Sequence, residues 1–205
     1  MKKIDLKKEL KHLYNPSKEI ALVDVPEMNF LMIDGAGDPN TSQDYKDAIE
    51  ALYAVSYTLK FMVKKEKAVD YVVMPLEGLW WTEPMSQFTM ENKDMWQWTA
   101  MIMQPEYVTE ELFNRAVEQV QIKKNLPSLS KIKFKSLYEG LSTQLMYIGP
   151  YSAEGPTIEK LHNFIEENGY ELRGKHHEIY LSDPRRSAPE KLKTVIRQPV
   201  MSAGL

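Results

Sequence analysis

The sequence predicts an α+β domain that spans residues 1–205 and contains two pseudo-equivalent strand–helix–strand–strand units, at about 28–106 and 130–200. Two observations predict this fold class. Residues 31–35 (LMIDG) resemble residues 145–149 (LMYIG), and each stretch precedes a turn and a long helical pattern. The units also end alike, in Ile-Met-Gln-Pro and Ile-Arg-Gln-Pro. Two such units side by side predict a ligand cleft along their pseudo-twofold axis.

Periodicity and capping residues define the elements of the first unit. Residues 4–13 carry a short amphipathic helix pattern that ends before Asn15-Pro16. A long apolar stripe with helical spacing follows Thr41 or Ser42, either of which can cap the helix. Alternating hydrophobic residues predict four strands: one at 30–37, two within 71–83 and one at 94–106.

The second unit follows the same order after a connecting helix at 109–124, which Thr109 opens. A strand pair is predicted around Glu139-Gly140. The next helix covers 154–169, with Pro156 near its start and Gly169 just past its end. The last two strands are predicted within 176–186 and at 193–200.

The composition excludes several classes of function. With a net charge of -3 and a pI near 5.9, the chain lacks the basic surface that phosphate binding requires, so we expect no nucleic-acid partner. It has no cysteine and therefore no disulfide framework. Neither a signal-peptide core nor an apolar run of about 20 residues is present, which predicts a cytoplasmic protein without membrane contact. We expect a monomer or a weak dimer.

Cofactor and metal sites are not predicted. The dinucleotide and P-loop glycine patterns are both missing from the sequence. His176 and His177 are neighbours on a strand and point to opposite faces, so they cannot chelate one ion together. Glu159 and His162 have the Glu-x-x-His spacing of di-iron bundles, but that site needs a second copy of the motif.

A carboxylate, Glu178, interrupts the strand HHEIY. Alternation places it on the face opposite to Ile179 and Leu181, which suit a helix-covered core. We therefore expect the face without helices to form the wall of the cleft, with Glu178 on it. One interpretation is a solvated or arginine-paired glutamate on an open sheet. The other is a partly desolvated carboxylate that accepts a proton.

Aromatic residues are candidates for the walls of the cleft. Trp80 and Trp81 are adjacent and point to opposite faces, whereas Trp96 and Trp98 share a face. A tryptophan on the open face would offer a flat apolar surface to an aromatic ligand, and ordinary core packing is the alternative for both pairs. Tyr53 is a further candidate ligand contact, its alternative being closure of the core.

Three stretches resemble the GyrI-like small-molecule-binding domain family, whose fold is a tandem of SHS2-type units: MPLEGLWW (74–81), QLMYIGPYSAEGPTIEKLHNFIEENGY (144–170) and HHEIYLSDPRRSAPEKLKTVIRQPV (176–200). The resemblance runs from about residue 15 to the C-terminus. Related domains sense drugs at the C-terminal end of multidrug-responsive transcription regulators. No helix-turn-helix module precedes the domain here, so the chain resembles a stand-alone member.

Some stand-alone members are cyclopropanoid cyclopropyl hydrolases, which open the cyclopropane of yatakemycin- and duocarmycin-type toxins with a glutamate and a tyrosine. The resemblance implies Glu178 as the glutamate, acting as base, and Tyr147 as the hydrogen-bond donor. Tyr71, Tyr138 and Tyr180 are rival candidates for the donor, and Tyr180 is also a candidate ligand contact. The alternative function is a binding module that sequesters or senses flat aromatic or cationic drugs without catalysis.

Overall fold

The computed structural model describes residues 2–85 and 92–204. The strands are β1 Lys2–Ile4, β2 Ala21–Val25, β3 Met28–Ala36, β4 Val69–Tyr71, β5 Leu76–Trp81, β6 Gln97–Gln104, β7 Lys133–Leu137, β8 Gly140–Ile148, β9 Tyr170–Leu172, β10 His176–Tyr180 and β11 Lys193–Ser202. The helices are α1 Leu6–Glu9, α2 Lys11–Tyr14, α3 Gln43–Lys67, α4 Glu110–Lys123 and α5 Gly155–Glu167. Within these ranges, no helix combines the length and hydropathy needed to cross a bilayer.

The order of the strands reveals the two predicted units. One sheet runs β2-β8-β11-β10-β5-β6-β3-β7, and β9 pairs with β11 beside this path. The unit β3-α3-β5-β6 and the unit β8-α5-β10-β11 occupy mirror-related positions in this order, and they meet where β10 pairs with β5. This arrangement confirms the α+β fold of two strand–helix–strand–strand units. The junction between β10 and β5 marks the pseudo-twofold axis.

The predicted strand pair around Glu139-Gly140 is wrong. β7 pairs with β3 and β8 pairs with β2, six positions apart in the sheet, although only two residues separate β7 from β8. Two residues bridge about 10 Å, whereas six strand spacings of a flat sheet measure about 29 Å. The sheet therefore curls until its two edges approach each other. Gly140 begins β8 at φ +61, a left-handed conformation that glycine adopts without steric cost.

Capping residues fix the helix boundaries as the sequence predicted. The Ser42 side chain accepts a hydrogen bond from the Tyr45 amide at the start of α3, and Thr109 does the same for Leu112 in α4. The N-terminal segment differs from the prediction, because α1 and α2 replace one continuous helix and β1 pairs in parallel with β4. Of the two strands predicted within 71–83, β5 at Leu76–Trp81 forms, whereas β4 ends at Tyr71.

The curled sheet has two faces with different coverings. We call the face on which α3 and α5 pack the helix-bearing face; its side chains include Leu145 and Ile196, which pack against α5. The other, which we call the interior face, is covered by the N-terminal segment, where Leu13 and Tyr14 of α2 are fully buried. Both faces are therefore packed, and the concave wall opposite the helices is filled by the chain itself.

Candidate functional site

A cavity of about 1160 Å³ opens on the helix-bearing face, between α3 and the N-terminal end of α5. Glu178 pairs with Ile196 on one side and Gly78 on the other, so its side chain points to the same face as Ile196. The prediction that Glu178 faces the open side of a one-sided sheet is therefore wrong about the face. Glu178 lines the cavity at the junction of the units, where residues of α3 and the residue before α5 also line it.

Hydrogen bonds hold the Glu178 carboxylate in place at the cavity wall. The Tyr180 hydroxyl donates to its Oε2 at 2.8 Å, and His176 Nε2 lies 3.0 Å from its Oε1. The Trp80 indole N–H donates to the Tyr180 hydroxyl at 3.0 Å, so a chain of two hydrogen bonds runs from Trp80 through Tyr180 to Glu178. Contacts of this kind fix the direction of the carboxylate. Glu178 itself is 9% exposed, so it is accessible from the cavity while largely desolvated.

Aromatic rings form the wall beside this carboxylate. The rings of Trp80 and Trp96 lie 5.5 Å apart, and Tyr45 packs against Trp80 at 5.6 Å. Tyr53 continues the wall along α3, and Tyr151 contacts Tyr180 edge to face. Rings at such angles make a rigid apolar surface that can stack with a flat ligand. The proposed contacts Tyr53, Trp80, Trp96 and Tyr180 are thus brought together at the cavity.

Two of the predicted ligand tryptophans lie elsewhere. Trp98 is 1% exposed and packs beneath Tyr45, and Gly35 on the neighbouring strand leaves the room that its ring occupies. Trp81 points to the other face, where the Lys175 ammonium lies 3.2 Å from its ring centroid. Neither residue lines the cavity. For Trp98, the alternative of ordinary core packing is the correct one.

The predicted donor Tyr147 also lies outside the cavity lining. It shares the helix-bearing face but packs against the α5 cluster, and its hydroxyl donates to the Pro150 carbonyl at 3.0 Å. Among its rivals, Tyr71 is buried in the core against Tyr107, and Tyr138 is 63% exposed on the link before β8. Of these four tyrosines, Tyr180 alone lines the cavity.

A second carboxylate, Glu154, was not predicted. It is the residue before α5, is 2% exposed and lines the same cavity as Glu178. Burial and the charge of Glu178 raise the pKa of Glu154 to about 9, against an opposing contribution from the Thr194 hydroxyl. The raised pKa favours the protonated form of Glu154. Its position before Gly155-Pro156 at a predicted helix start was the available signal, but an acidic residue there is typically solvated.

A separate set of buried charged groups occupies the interior face, and we call it the interior network: Tyr14, Glu77, Glu139, His177 and Arg197. His177 lies 2.9 Å from both Glu77 and Glu139, and Arg197 donates to Glu139 at 3.1 Å. The carboxylates outweigh the effect of burial and raise the pKa of His177 to about 9. His177 and Arg197 hold the pKa of Glu139 at about 2 against desolvation. These groups are sealed from the cavity and have a structural role.

Gly78, beneath the Trp80 ring, is a further determinant of the site. A Cβ at this position would lie 2.6 Å from Trp80 Nε1, so Gly78→Ala is expected to displace the indole and break its hydrogen bond to Tyr180. The overpacking should cost about 1–3 kcal/mol of unfolding free energy. Urea unfolding together with near-ultraviolet circular dichroism measures both effects. Gly155→Ala is the matched control, since nothing lies within 4 Å of its added Cβ; equal stability losses in both variants would contradict the prediction.

The fold and the aromatic, carboxylate-bearing cavity define a small-molecule-binding domain. More particularly, the chain belongs to the GyrI-like family, since the model of the GyrI-like small molecule binding domain matches residues 18–201. Three crystal structures from Listeria innocua are similar. An uncharacterised conserved protein has 43% identity and a TM-score of 0.90, covering 97% of this chain and 100% of that one. A protein described as a hydrolase has 41% identity and a TM-score of 0.85, and the match covers 97% of this chain and 100% of that one. A second hydrolase has 43% identity and a TM-score of 0.88, and the match covers 98% of this chain and 100% of that one.

More distant similarity extends to EcmrR. The C-terminal domain of EcmrR has 15% identity and a TM-score of 0.56, covering 90% of this chain and 98% of that one. At this level of identity the similarity concerns the fold alone. A comparison with curated proteins gives no match.

Proposed function

We propose that the protein hydrolyses the cyclopropane ring of yatakemycin- or duocarmycin-type compounds, with Glu178 as the general base. The observation that carries the proposal is the oriented Glu178 carboxylate at the wall of an aromatic cavity. The two relatives described as hydrolases, at 41% and 43% identity, support an enzymatic activity. Opening the ring would detoxify the compound, because the strained ring is its electrophile.

The chemistry requires a base and a polar partner for the carbonyl. Glu178 takes a proton from water as the water oxygen bonds to the cyclopropane methylene carbon. The ring carbon–carbon bond breaks, and its electron pair moves through the conjugated dienone to the carbonyl oxygen, which becomes a phenolate. Formation of the aromatic ring makes the step downhill. Stacking on Trp80 and Trp96 would hold the flat substrate with its methylene carbon near the water.

Tyr180 and His176 act through Glu178 in this proposal. Both contact its carboxylate, so they hold it directed into the cavity. The resemblance implied Tyr147 as the donor to the carbonyl oxygen, but its hydroxyl is occupied by the Pro150 carbonyl outside the cavity lining. This position favours another group of the cavity lining as the donor.

Incubation with a duocarmycin-type compound, followed by mass spectrometry, tests the activity. We expect the compound to gain the mass of one water, over many turnovers per protein molecule. Heat-denatured protein controls for spontaneous opening of the ring. Unchanged compound, recovered tightly bound, would overturn the hydrolase and leave the binding module, which the family description equally accommodates.

Tyr147→Phe is expected to leave turnover within about twofold of the unaltered protein, because the lost hydroxyl donates only to a backbone carbonyl. The loss of that hydrogen bond should cost about 1 kcal/mol of unfolding free energy. Initial rates and urea unfolding, measured side by side, separate the two effects. A fall in turnover of 100-fold without a change in substrate affinity would restore Tyr147 as the donor.

A further inference from the structure

We propose that Glu154 is a neutral carboxylic acid that donates its proton to the ligand's carbonyl oxygen, opposite the base Glu178. This inference rests on the proposed function and adds a second catalytic carboxylate to it. The two carboxylates come from different units of the chain, one from β10 and one from the turn before α5. Both line the one cavity.

The hydrogen-bonding pattern decides which carboxylate carries the proton. Glu178 receives the Tyr180 hydroxyl and contacts His176, whereas Oε1 of Glu154 is buried without a hydrogen-bond partner among the described residues. Two carboxylates that share a desolvated site cannot both ionise cheaply, and the proton stays on the one with fewer donors. The Thr194 hydroxyl acts on Glu154, whereas two groups, Tyr180 and His176, contact Glu178. The proton therefore resides on Glu154.

Its surroundings reinforce this state. Burial contributes most to raising the pKa of Glu154 to about 9, followed by the charge of Glu178. Lys93 and Thr194 act in the opposite direction, and the N-terminal end of α5 would also favour an anion. Five titratable groups either change the pKa of Glu154 or have their own pKa changed by its charge. They are Tyr147 on β8, Tyr151 in the turn before α5, Glu178 and Tyr180 on β10, and Lys93.

Glu154 gives the reaction a complete proton balance. As the cyclopropane bond breaks, negative charge accumulates on the carbonyl oxygen, where a positioned donor is most effective. Glu154 transfers its proton to this oxygen and becomes a carboxylate, while Glu178 holds the proton taken from water. Return of that proton from Glu178 to Glu154, through water, restores the resting state. The sum is substrate plus one water giving the ring-opened phenol.

The same arrangement defines the class of ligand. A neutral flat molecule with a carbonyl acceptor near one edge can stack on the tryptophan wall and accept the Glu154 hydrogen. The pairing of an ionised and a protonated carboxylate provides one acceptor and one donor, a combination suited to a conjugated ketone whose reactive carbon lies beside Glu178.

Kinetics on two variants test the donor. Glu154→Leu removes the hydrogen bond and should lower kcat by about 100-fold, the usual cost of one oxyanion donor. Glu154→Gln keeps an N–H donor but cannot transfer a proton, so we expect a smaller loss. In the unaltered protein, kcat/KM should fall as the pH rises through about 9, and Glu154→Gln should lose this decline. Glu159→Gln, on the exposed side of α5, is the matched control.

A persistent alkaline decline in Glu154→Gln, or wild-type turnover by Glu154→Leu with an unchanged melting temperature, would overturn the proposal. Infrared difference spectroscopy decides the protonation independently of hydrolysis. At pH 7 the unaltered protein should show a carboxylic-acid carbonyl band that Glu154→Gln lacks, and the band should shift when a dienone without the cyclopropane binds. If the compound is not hydrolysed but this band shifts, the donor role of Glu154 is supported and only the proposed hydrolysis is rejected. If the band is missing or does not shift, the donor role is rejected even where hydrolysis is observed.

Discussion

Glu178→Gln is expected to lower turnover by about 100-fold or more, the usual effect of removing a general base. The amide keeps the shape of the side chain and its place beside Tyr180, but it cannot accept the proton of water. Affinity for a neutral aromatic substrate should change little, because the loss falls on the transition state. Single-turnover kinetics with saturating protein, together with a tryptophan-fluorescence titration, separates the two quantities.

A second variant and a second ligand sharpen this test. Glu178→Asp retains the base but withdraws it by one methylene, so its rate should fall between those of the unaltered protein and Glu178→Gln. A cationic aromatic ligand should lose affinity for Glu178→Gln, whereas a neutral one should not, since only the former pairs with the carboxylate. Hydrolysis by Glu178→Gln at the unaltered rate would show that the base is another group.

Thermal melts show whether Glu178 instead serves the fold. An ionised group at 9% exposure is costly, so its neutral replacement should leave the melting temperature unchanged or raise it. A melting temperature far below that of the unaltered protein would identify Glu178 as a structural partner of His176 and Tyr180.

Local patterns in the sequence predicted the units of the fold and the presence of Glu178 at a cavity. Period-two alternation predicts which side chains share a face, and it correctly placed His176, Glu178 and Tyr180 on one face. The alternation does not predict which of the two faces the helices cover. The apolar partners Ile179 and Leu181 suggested the helix side, yet a curled sheet has a second buried face, which Ile179 occupies at 0% exposure.

The remaining differences from the predictions have two origins: contacts between residues distant in sequence and, for Tyr147, a local hydrogen bond three residues away. Adjacency in sequence favours pairing of the strands at Glu139-Gly140, whereas the curled sheet places β7 at one edge and β8 next to the strand at the other edge. Tyr147 matched a motif, but its proximity to Pro150 diverts its hydroxyl. Glu154 became a candidate only when the tertiary structure brought it beside Glu178, since nothing local distinguishes a buried helix-start glutamate from a solvated one.

The interior network has the largest expected effect on stability. Arg197 is fully buried, and its guanidinium donates to Glu139, Gln144 and the Leu13 carbonyl. Arg197→Met is expected to lower the unfolding free energy by about 3–5 kcal/mol, because it leaves two buried carboxylates, Glu77 and Glu139, to share His177 as the remaining cation of the network. Urea unfolding measures the loss. Lys131→Met is the matched control, since its ion pair with Asp44 is exposed at 3.7 Å and should be worth less than about 1 kcal/mol.

The pH dependence of unfolding shows whether the network holds these charges. The pKa of His177 is raised from 6.5 to about 9, so its stabilisation is complete below pH 6.5 and is lost as the pH rises through 9. The pKa of Glu139 is lowered from 4.5 to about 2, so its stabilisation is present above pH 4.5 and is lost as the pH falls toward 2. The network should therefore stabilise the fold most between pH 4.5 and 6.5. A loss under 1 kcal/mol for Arg197→Met in that window would mean that the cation is dispensable and that the curled sheet is held by its apolar packing alone.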